Sequence, residues 1–344
     1  MSTKSSQKPL ADIHHLPDDQ PHKAPDHVDP ALYQRLRERV ERTHLQQRLG
    51  LELHYETEVT GQGIQFFHLE NWYSVHSFIR NSLRVSGLYW RGKRNALRLQ
   101  INERHVTFPN LPPTFEGYRI LHLSDLHIDT SREVAEVLIA AIETLEYDLC
   151  VITGDYRTKT FGCYQSVIDN IKLVTPAFKS PVYSVLGNHD TIQLLPYLED
   201  LGIQVLLNES VTLQRAQQII HLSGIDDAHY FKVDNIEKAS EQVPDYGFSI
   251  LLSHTPETYR QAAFANFDFF LCGHTHGGQI CLPGGIPITW DARCPYALAK
   301  GEWRFHNMQG YTSVGSGTSI VDIRLNCLPE VTVHTLGRSQ PDQG

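Results

Sequence analysis

Five apolar segments of this chain each run straight into a polar cluster of one chemical type. Residues 119–123 lead into Ser124-Asp125-Leu126-His127, residues 149–152 into Thr153-Gly154-Asp155, and residues 181–186 into Gly187-Asn188-His189-Asp190. Further on, residues 248–252 lead into Ser253-His254, and residues 267–271 into Cys272-Gly273-His274-Thr275-His276. Helical spacing of apolar residues fills the intervals 131–146, 164–174, 194–201 and 256–264, and further strands are expected at 202–207 and 219–222. Such alternation specifies an α/β layered domain. Ligands of open α/β sheets bind outside the carboxyl ends of the strands, so clusters of Asp, His and Asn at that edge point to one shared site.

The ordered set carries the signal, not its members. Asp-x-His alone says little, since it also occurs at Asp12-Ile13-His14 and Asp227-Ala228-His229. Asp226, Asp227 and His229 could line the substrate side, but a solvent loop is the expected setting. Aspartates and histidines gathered at strand ends would be costly to bury without partners or a metal. Asp125, His127, Asp155, Asn188, His254, His274 and His276 are more ligands than one ion needs, and they suit two ions sharing a carboxylate. Imidazole and carboxylate without thiolate favour Mn, Fe or Zn over Ca or Mg. His274 and His276, two apart on an extended segment, would diverge towards different ions. Two cations about 3.5–4 Å apart clamp a phosphoryl group and bring the pKa of a water near neutral. His189 can supply a proton to the leaving oxygen. Glycines ahead of Asp155, Asn188 and His274 permit close backbone approach.

Composition narrows the field. The chain has 344 residues, 41% hydrophobic and 20% charged, which is that of an ordinary folded protein. A net charge of −9 argues against a general nucleic-acid binder. No apolar run reaches about 18–20 residues, so no spanning helix is expected. Met1-Ser2-Thr3-Lys4 has no apolar segment behind it, and six cysteines form no Cys-x-x-Cys pair; both point to a cytoplasmic protein with reduced, mostly buried thiols.

Ahead of the α/β region, residues 1–28 read as a mobile tail and residues 29–114 as an α+β extension. Asp29-Pro30 opens a helix whose expected end is Gly50. Alternation at Leu51, Leu53, Tyr55, Thr57 and Val59 predicts a strand, turned by Gly61-Gln62-Gly63. Residues 71–102 hold six basic residues (Arg80, Arg84, Arg91, Lys93, Arg94 and Arg98) and no acid. Trp72, Val75, Ile79 and Leu83 could share a helical face there. Apolar residues flanked by arginines describe a helix lying in an anionic membrane interface, against the alternative of a helix packed on the main domain. Two strands are expected at 97–101 and 105–108, and Asn110-Leu111-Pro112-Pro113 marks a boundary.

The motif order D-x-H, G-D, G-N-H-D, H and G-H-x-H resembles that of the calcineurin-like binuclear metallophosphoesterases over residues 115–338. The run Gly273-His274-Thr275-His276-Gly277-Gly278-Gln279-Ile280 is similar to that of the bacterial YkuE- and YaeI-type branch. This resemblance implies a layered sandwich of two mixed β-sheets flanked by helices. It implies Asp125, His127 and His276 at one metal, Asn188, His254 and His274 at the other, and Asp155 bridging. His189 would stand by the leaving group, with Asp190 orienting it. Tyr156-Arg157-Thr158-Lys159 departs from the Asp-Arg-Gly of Ser/Thr protein phosphatases, which argues against that activity. The expectation is a metal-dependent phosphodiesterase or pyrophosphohydrolase, peripheral on the inner membrane and acting on a phospholipid or lipid-linked phosphate. UDP-2,3-diacylglucosamine hydrolysis and an inactive binding scaffold remain the alternatives.

Overall fold

A computed structural model describes residues 24–25, 27–61, 73–319 and 321–339. The expected tail falls almost wholly outside these residues, but Val28 at its end is buried in the core. Asp29 caps helix α1 (Pro30–Arg39), its carboxylate accepting from the amides of Ala31 and Leu32 at 3.0 Å. Extended backbone at Val40 ends that helix.

Helix α2 (Arg42–Gly61) then runs through Gly50 and through the segment expected to be a strand. Among its described side chains the buried ones are Leu45, Arg48, Leu49 and Glu52, a helical spacing concealed because two of the four are charged. Nothing approaches within 4 Å of a Cβ built on Gly50, so the helix passes it at a cost of about 1 kcal/mol. The turn expected around Gly61-Gln62-Gly63 reaches beyond the described residues, as does Trp72; nothing is described of the Val75 side chain.

Helices α3 (Tyr73–Val85) and α4 (Tyr89–Ala96) follow. Ile79 and Leu83 pack with Tyr89 against Val321 and Ile323, and Arg84 lies 4.9 Å over the Tyr89 ring. Val85, Leu88 and Trp90 stay exposed. No described helix is long and apolar enough to cross a membrane.

Two six-stranded mixed sheets form the body. The first holds β1 (Gln100–Phe108), β2 (Arg119–Leu123), β3 (Leu149–Thr153), β4 (Val182–Val185), β5 (Ile203–Val205) and β14 (Glu330–Arg338), in the order β1-β14-β2-β3-β4-β5. The second holds β6 (Glu209–Arg215), β7 (Gln218–Gly224), β8 (Ser249–Leu252), β9 (Phe269–Cys272), β12 (Gly301–Phe305) and β13 (Met308–Thr312), in the order β12-β13-β9-β8-β7-β6. A short hairpin, β10 (Cys281–Leu282) with β11 (Ile286–Pro287), stands apart. Where two strands were expected around Asn102-Glu103, β1 is continuous, paired in parallel with β14 over nine residues. It fastens the extension into the main sheet.

Period-two alternation sorts the side chains into layers. Ile120, Leu149 and Val151 meet Ile220, Ile250, Leu252 and Leu271 between the sheets. Leu121, Leu123, Cys150 and Ile152 face outward onto α5 (Arg132–Glu143), α6 (Gln165–Val174), α7 (Leu195–Asp200), α1 and α2. On the far side, Leu251, Phe270 and Cys272 are covered by α8 (Tyr259–Phe264) and Trp303. The result is the expected sandwich of two mixed sheets flanked by helices.

Candidate metal centre

Strands β2, β3 and β4 are parallel in one sheet, and β8 and β9 are parallel in the other. Their carboxyl ends meet at one seam, and there the five clusters converge. Asp125, His127 and His276 offer ligand atoms within 4.8 Å of one another, and so do Asp155, His254 and His274. Asp155 Oδ2 stands between the groups, 3.4 Å from His254 Nε2 and 3.8 Å from His127 Nε2. Asn188 Oδ1 is 2.9 Å from His254 Nε2.

Five of these residues sit in left-handed backbone: Asp125 (φ 50), His127 (φ 39), Asp155 (φ 57), His274 (φ 72) and His276 (φ 50). Each costs about 1–3 kcal/mol for a residue with a Cβ. The cost is tolerated where surrounding structure fixes the turn, and it re-aims each side chain back over the strand ends. Crowding explains the glycines. A Cβ on Gly273 would overlap Ser124 Oγ and Asp125 Oδ2, and one on Gly187 would overlap Asp155 Oδ1.

Backbone carbonyls set the histidine tautomers. His127 Nδ1 is 2.5 Å from the Arg157 carbonyl, and His254 Nδ1 is 2.8 Å from that of Thr153. A carbonyl only accepts, so each Nδ1 carries a proton and each Nε2 faces the cluster. At His276, Nε2 lies 3.3 Å from Asp125 Oδ1, while Nδ1 lies 3.2 Å from Arg324 Nη2. That Nη2 already donates to the carbonyls of Val314 at 2.7 Å and Gly317 at 2.6 Å. Arg324 therefore acts there as a fixed buried charge.

Burial pulls the His127 imidazole down to about 4, against the attraction of Asp155. Burial, then the neighbouring imidazoles His229 and His127 respectively, hold His274 and His276 well below the usual range. Burial drives Asp125 up to about 6. For the Asp155–His254 pair, burial opposes both charges, but mutual attraction wins: the carboxyl is held low and the imidazole high. Neutral imidazoles, buried carboxylates and one proton that a cation would displace form a donor set that fits divalent ions. Buried Asn188 Nδ2 and His274 Nε2 have no hydrogen-bond partner.

His189 borders the cluster, Nε2 3.9 Å from Asp155 Oδ2 and its amide donating to Asp155 Oδ1 at 3.0 Å. The partner of its Nδ1 is Thr160 Oγ1 at 2.8 Å. Asp190, expected to orient this imidazole, instead accepts from the backbone amides of Asp155, Tyr156, Arg157 and Gly187. Its carboxylate is fully buried and ties two loops together. Asp226 and Asp227 are buried as well, contrary to the solvent loop expected. Asp227 takes the amides of His229, Tyr230 and Phe231, and the His229 ring centre lies 4.2 Å from that of His274, held by Glu257 at 3.0 Å. Thr160 and Arg324 carry no motif spacing, so sequence reasoning could not find them. Cys150, Cys272, Cys281 and Cys327 are buried, as expected of most of the thiols.

A cavity of about 430 Å³ opens over His189, His274 and His276. Its walls include Ile79, Leu83, Ile280, Ile288, Trp290 and Val321.

A sandwich with such a seam defines a class, and the chain belongs to it: the calcineurin-like phosphoesterases, whose family model matches residues 118–278. It is a metallophosphoesterase, a hydrolase of phosphoric esters. Its relatives include the uncharacterized metallophosphoesterase YkuE of Bacillus subtilis, 30% identical over 251 residues that span 69% of this chain and 85% of that one. YkoQ of the same organism is 28% identical over 72% of this chain and 94% of its own length. The phosphodiesterase YaeI of Escherichia coli is 28% identical over 63% and 81%.

Proposed function

We propose that this chain is a phosphodiesterase or pyrophosphohydrolase that uses two divalent ions, Mn, Fe or Zn, on a lipid-linked phosphate at an anionic membrane surface. Asp125, His127 and His276 would hold one ion, and Asn188, His254 and His274 the other, with Asp155 between them. When bound, such a pair neutralises phosphoryl charge and readies a water for in-line attack. The carrying observation is the convergence of two His/Asp groups on Asp155 at one seam.

The chain's own residues supply the rest. His127 and His254, their Nδ1 protons held by carbonyls, keep Nε2 aimed inward. His189, held through its amide and its Nδ1, gives a proton to the leaving oxygen. Asp190 holds the loops that carry Asp155 and His189. An apolar group attached to the phosphate would lie along Ile79, Leu83, Ile288 and Trp290. Exposed Val85, Leu88 and Trp90, with Arg80, Arg84 and Arg91 along α3 and α4, suit an interface with anionic lipid.

Hydrolysis of bis(p-nitrophenyl) phosphate by the Mn(II)-loaded protein tests the chemistry. Turnover by the native sequence, lost in Asn188→Ala and His189→Ala, is the expected result. An inert protein with Mn, Fe and Zn alike would reject the reading in favour of a scaffold.

A further inference from the structure

Helix α2 lies outside the stretch matched by the family model, yet it grips the loop that carries Asn188, His189 and Asp190. Arg48 is fully buried, and its Nη2 donates to the carbonyl of Asp190 at 2.7 Å. Its guanidinium stacks 3.6 Å over the Phe231 ring. One turn on, Glu52 accepts from Thr191 Oγ1 at 2.5 Å and from the amide of Ile192 at 2.8 Å. Glu52 Oε1 is 3.3 Å from Arg48 Nε, and Asp226 Oδ2, which holds His44 at 2.8 Å, is 3.8 Å from the same nitrogen. Three consecutive residues after His189 are therefore held by two side chains of one helix.

A buried ion pair is a poor device for stability alone, since apolar packing of similar volume often does as well or better. Its contacts here go to the backbone and a hydroxyl of one short loop. On the other side of that loop, the His189 amide is fixed by Asp155 and its Nδ1 by Thr160. His189 sits between two anchors, one of them supplied by the N-terminal extension.

We propose that Arg48 and Glu52 are positioning residues that set the His189 imidazole at the leaving oxygen of the substrate. This rests on the reading of His189 as proton donor. Misplacing that donor should matter most when the leaving group is a poor one. Bis(p-nitrophenyl) phosphate has a good leaving group and diphenyl phosphate a poor one, so the pair of substrates separates proton delivery from general damage.

In the full chain loaded with Mn(II), Arg48→Met and Glu52→Gln should lower kcat on diphenyl phosphate by about 100-fold, the scale of general acid catalysis. The fall on bis(p-nitrophenyl) phosphate should stay within about 10-fold, with KM and metal content unchanged. Arg48→Lys, which keeps a donor, should recover part of the loss. A second readout does not depend on turnover: amide hydrogen exchange at residues 188–192 should quicken in the metal-free variants while the β-sheet core stays protected. Equal losses on both substrates, or exchange unchanged in the loop, would overturn the proposal. So would global unfolding of both Arg48→Met and Glu52→Gln, which would assign the pair to stability. A native protein inert on both diesters, with exchange behaving as stated, would instead remove the hydrolase reading and leave the clamp in place.

Discussion

The backbone amide of Asp155 donates to the carboxylate of Asp190 at 2.8 Å, joining the loop after β3 to the loop after β4. The second oxygen of Asp190 serves Tyr156 and Arg157, and Gly187 shares the first. Every contact is with a donor. Asp190→Asn would turn an amide NH2 towards two N–H groups, and Asp190→Ala would leave four amides without this acceptor. Both variants should lose about 3–5 kcal/mol of stability, read as a lower denaturant midpoint at unchanged slope. A change within about 0.5 kcal/mol would contradict the role given to this residue.

Gly273 offers a sharper steric test. A methyl there collides with Ser124 Oγ and Asp125 Oδ2, both buried against the seam. Gly273→Ala should displace Asp125 from His276 and reduce phosphodiesterase activity by at least about 100-fold, while far-ultraviolet dichroism stays native. Full activity in this variant would show that the turn can relax.

Two buried histidines outside the seam contribute to acid stability. Both ring nitrogens of His334 are buried without a hydrogen-bond partner, and burial with the neighbouring His122 holds it well below the usual range. Burial alone lowers His122 to about 3. Each is neutral in the folded chain and takes up a proton on unfolding once the pH falls below about 6.5. The unfolded state then binds more protons, so stability falls as the pH drops from about 6.5 towards 3, by up to about 1.4 kcal/mol per pH unit for each group. His334→Leu should flatten this slope between pH 6 and 4, measured by urea unfolding at a series of pH values. An unchanged slope would mean that the pair does not control it.

The membrane reading has its own test. Flotation with anionic liposomes should carry the protein upward. Arg80→Glu, Arg84→Glu and Arg91→Glu together should abolish that movement while leaving hydrolysis of a soluble diester intact. Flotation that persists in the triple variant would place attraction elsewhere, and none in the native protein would end the reading.

Much of the seam was legible in the sequence because the strand ends of an α/β sandwich are where the chain must leave the core, so polar residues there stand out. Ser124 to His127 and Gly273 to His276 could be placed from pattern alone. The second half of α2 reads as a strand because Leu51, Leu53, Tyr55, Thr57 and Val59 alternate, while Glu52, buried there, adds no apolar signal of a helix. Asn102 and Glu103 looked like a turn, yet they continue β1, an edge strand whose outward side tolerates polar residues. Asp226 and Asp227 looked solvated because an acidic pair gives no hint that its partners are His44, Arg48 and the amides of its own loop. Contacts between residues far apart in the chain leave no local signature.

Metal content tests the central claim most directly. Protein reconstituted with Mn(II), freed of excess ion and measured by elemental analysis should hold about two ions per chain, as a two-cation site requires. Asp155→Asn should lower that number and abolish hydrolysis together. Native protein that binds no ion after reconstitution with Mn, Fe or Zn, or that hydrolyses diesters equally well when stripped by chelator, would contradict the account.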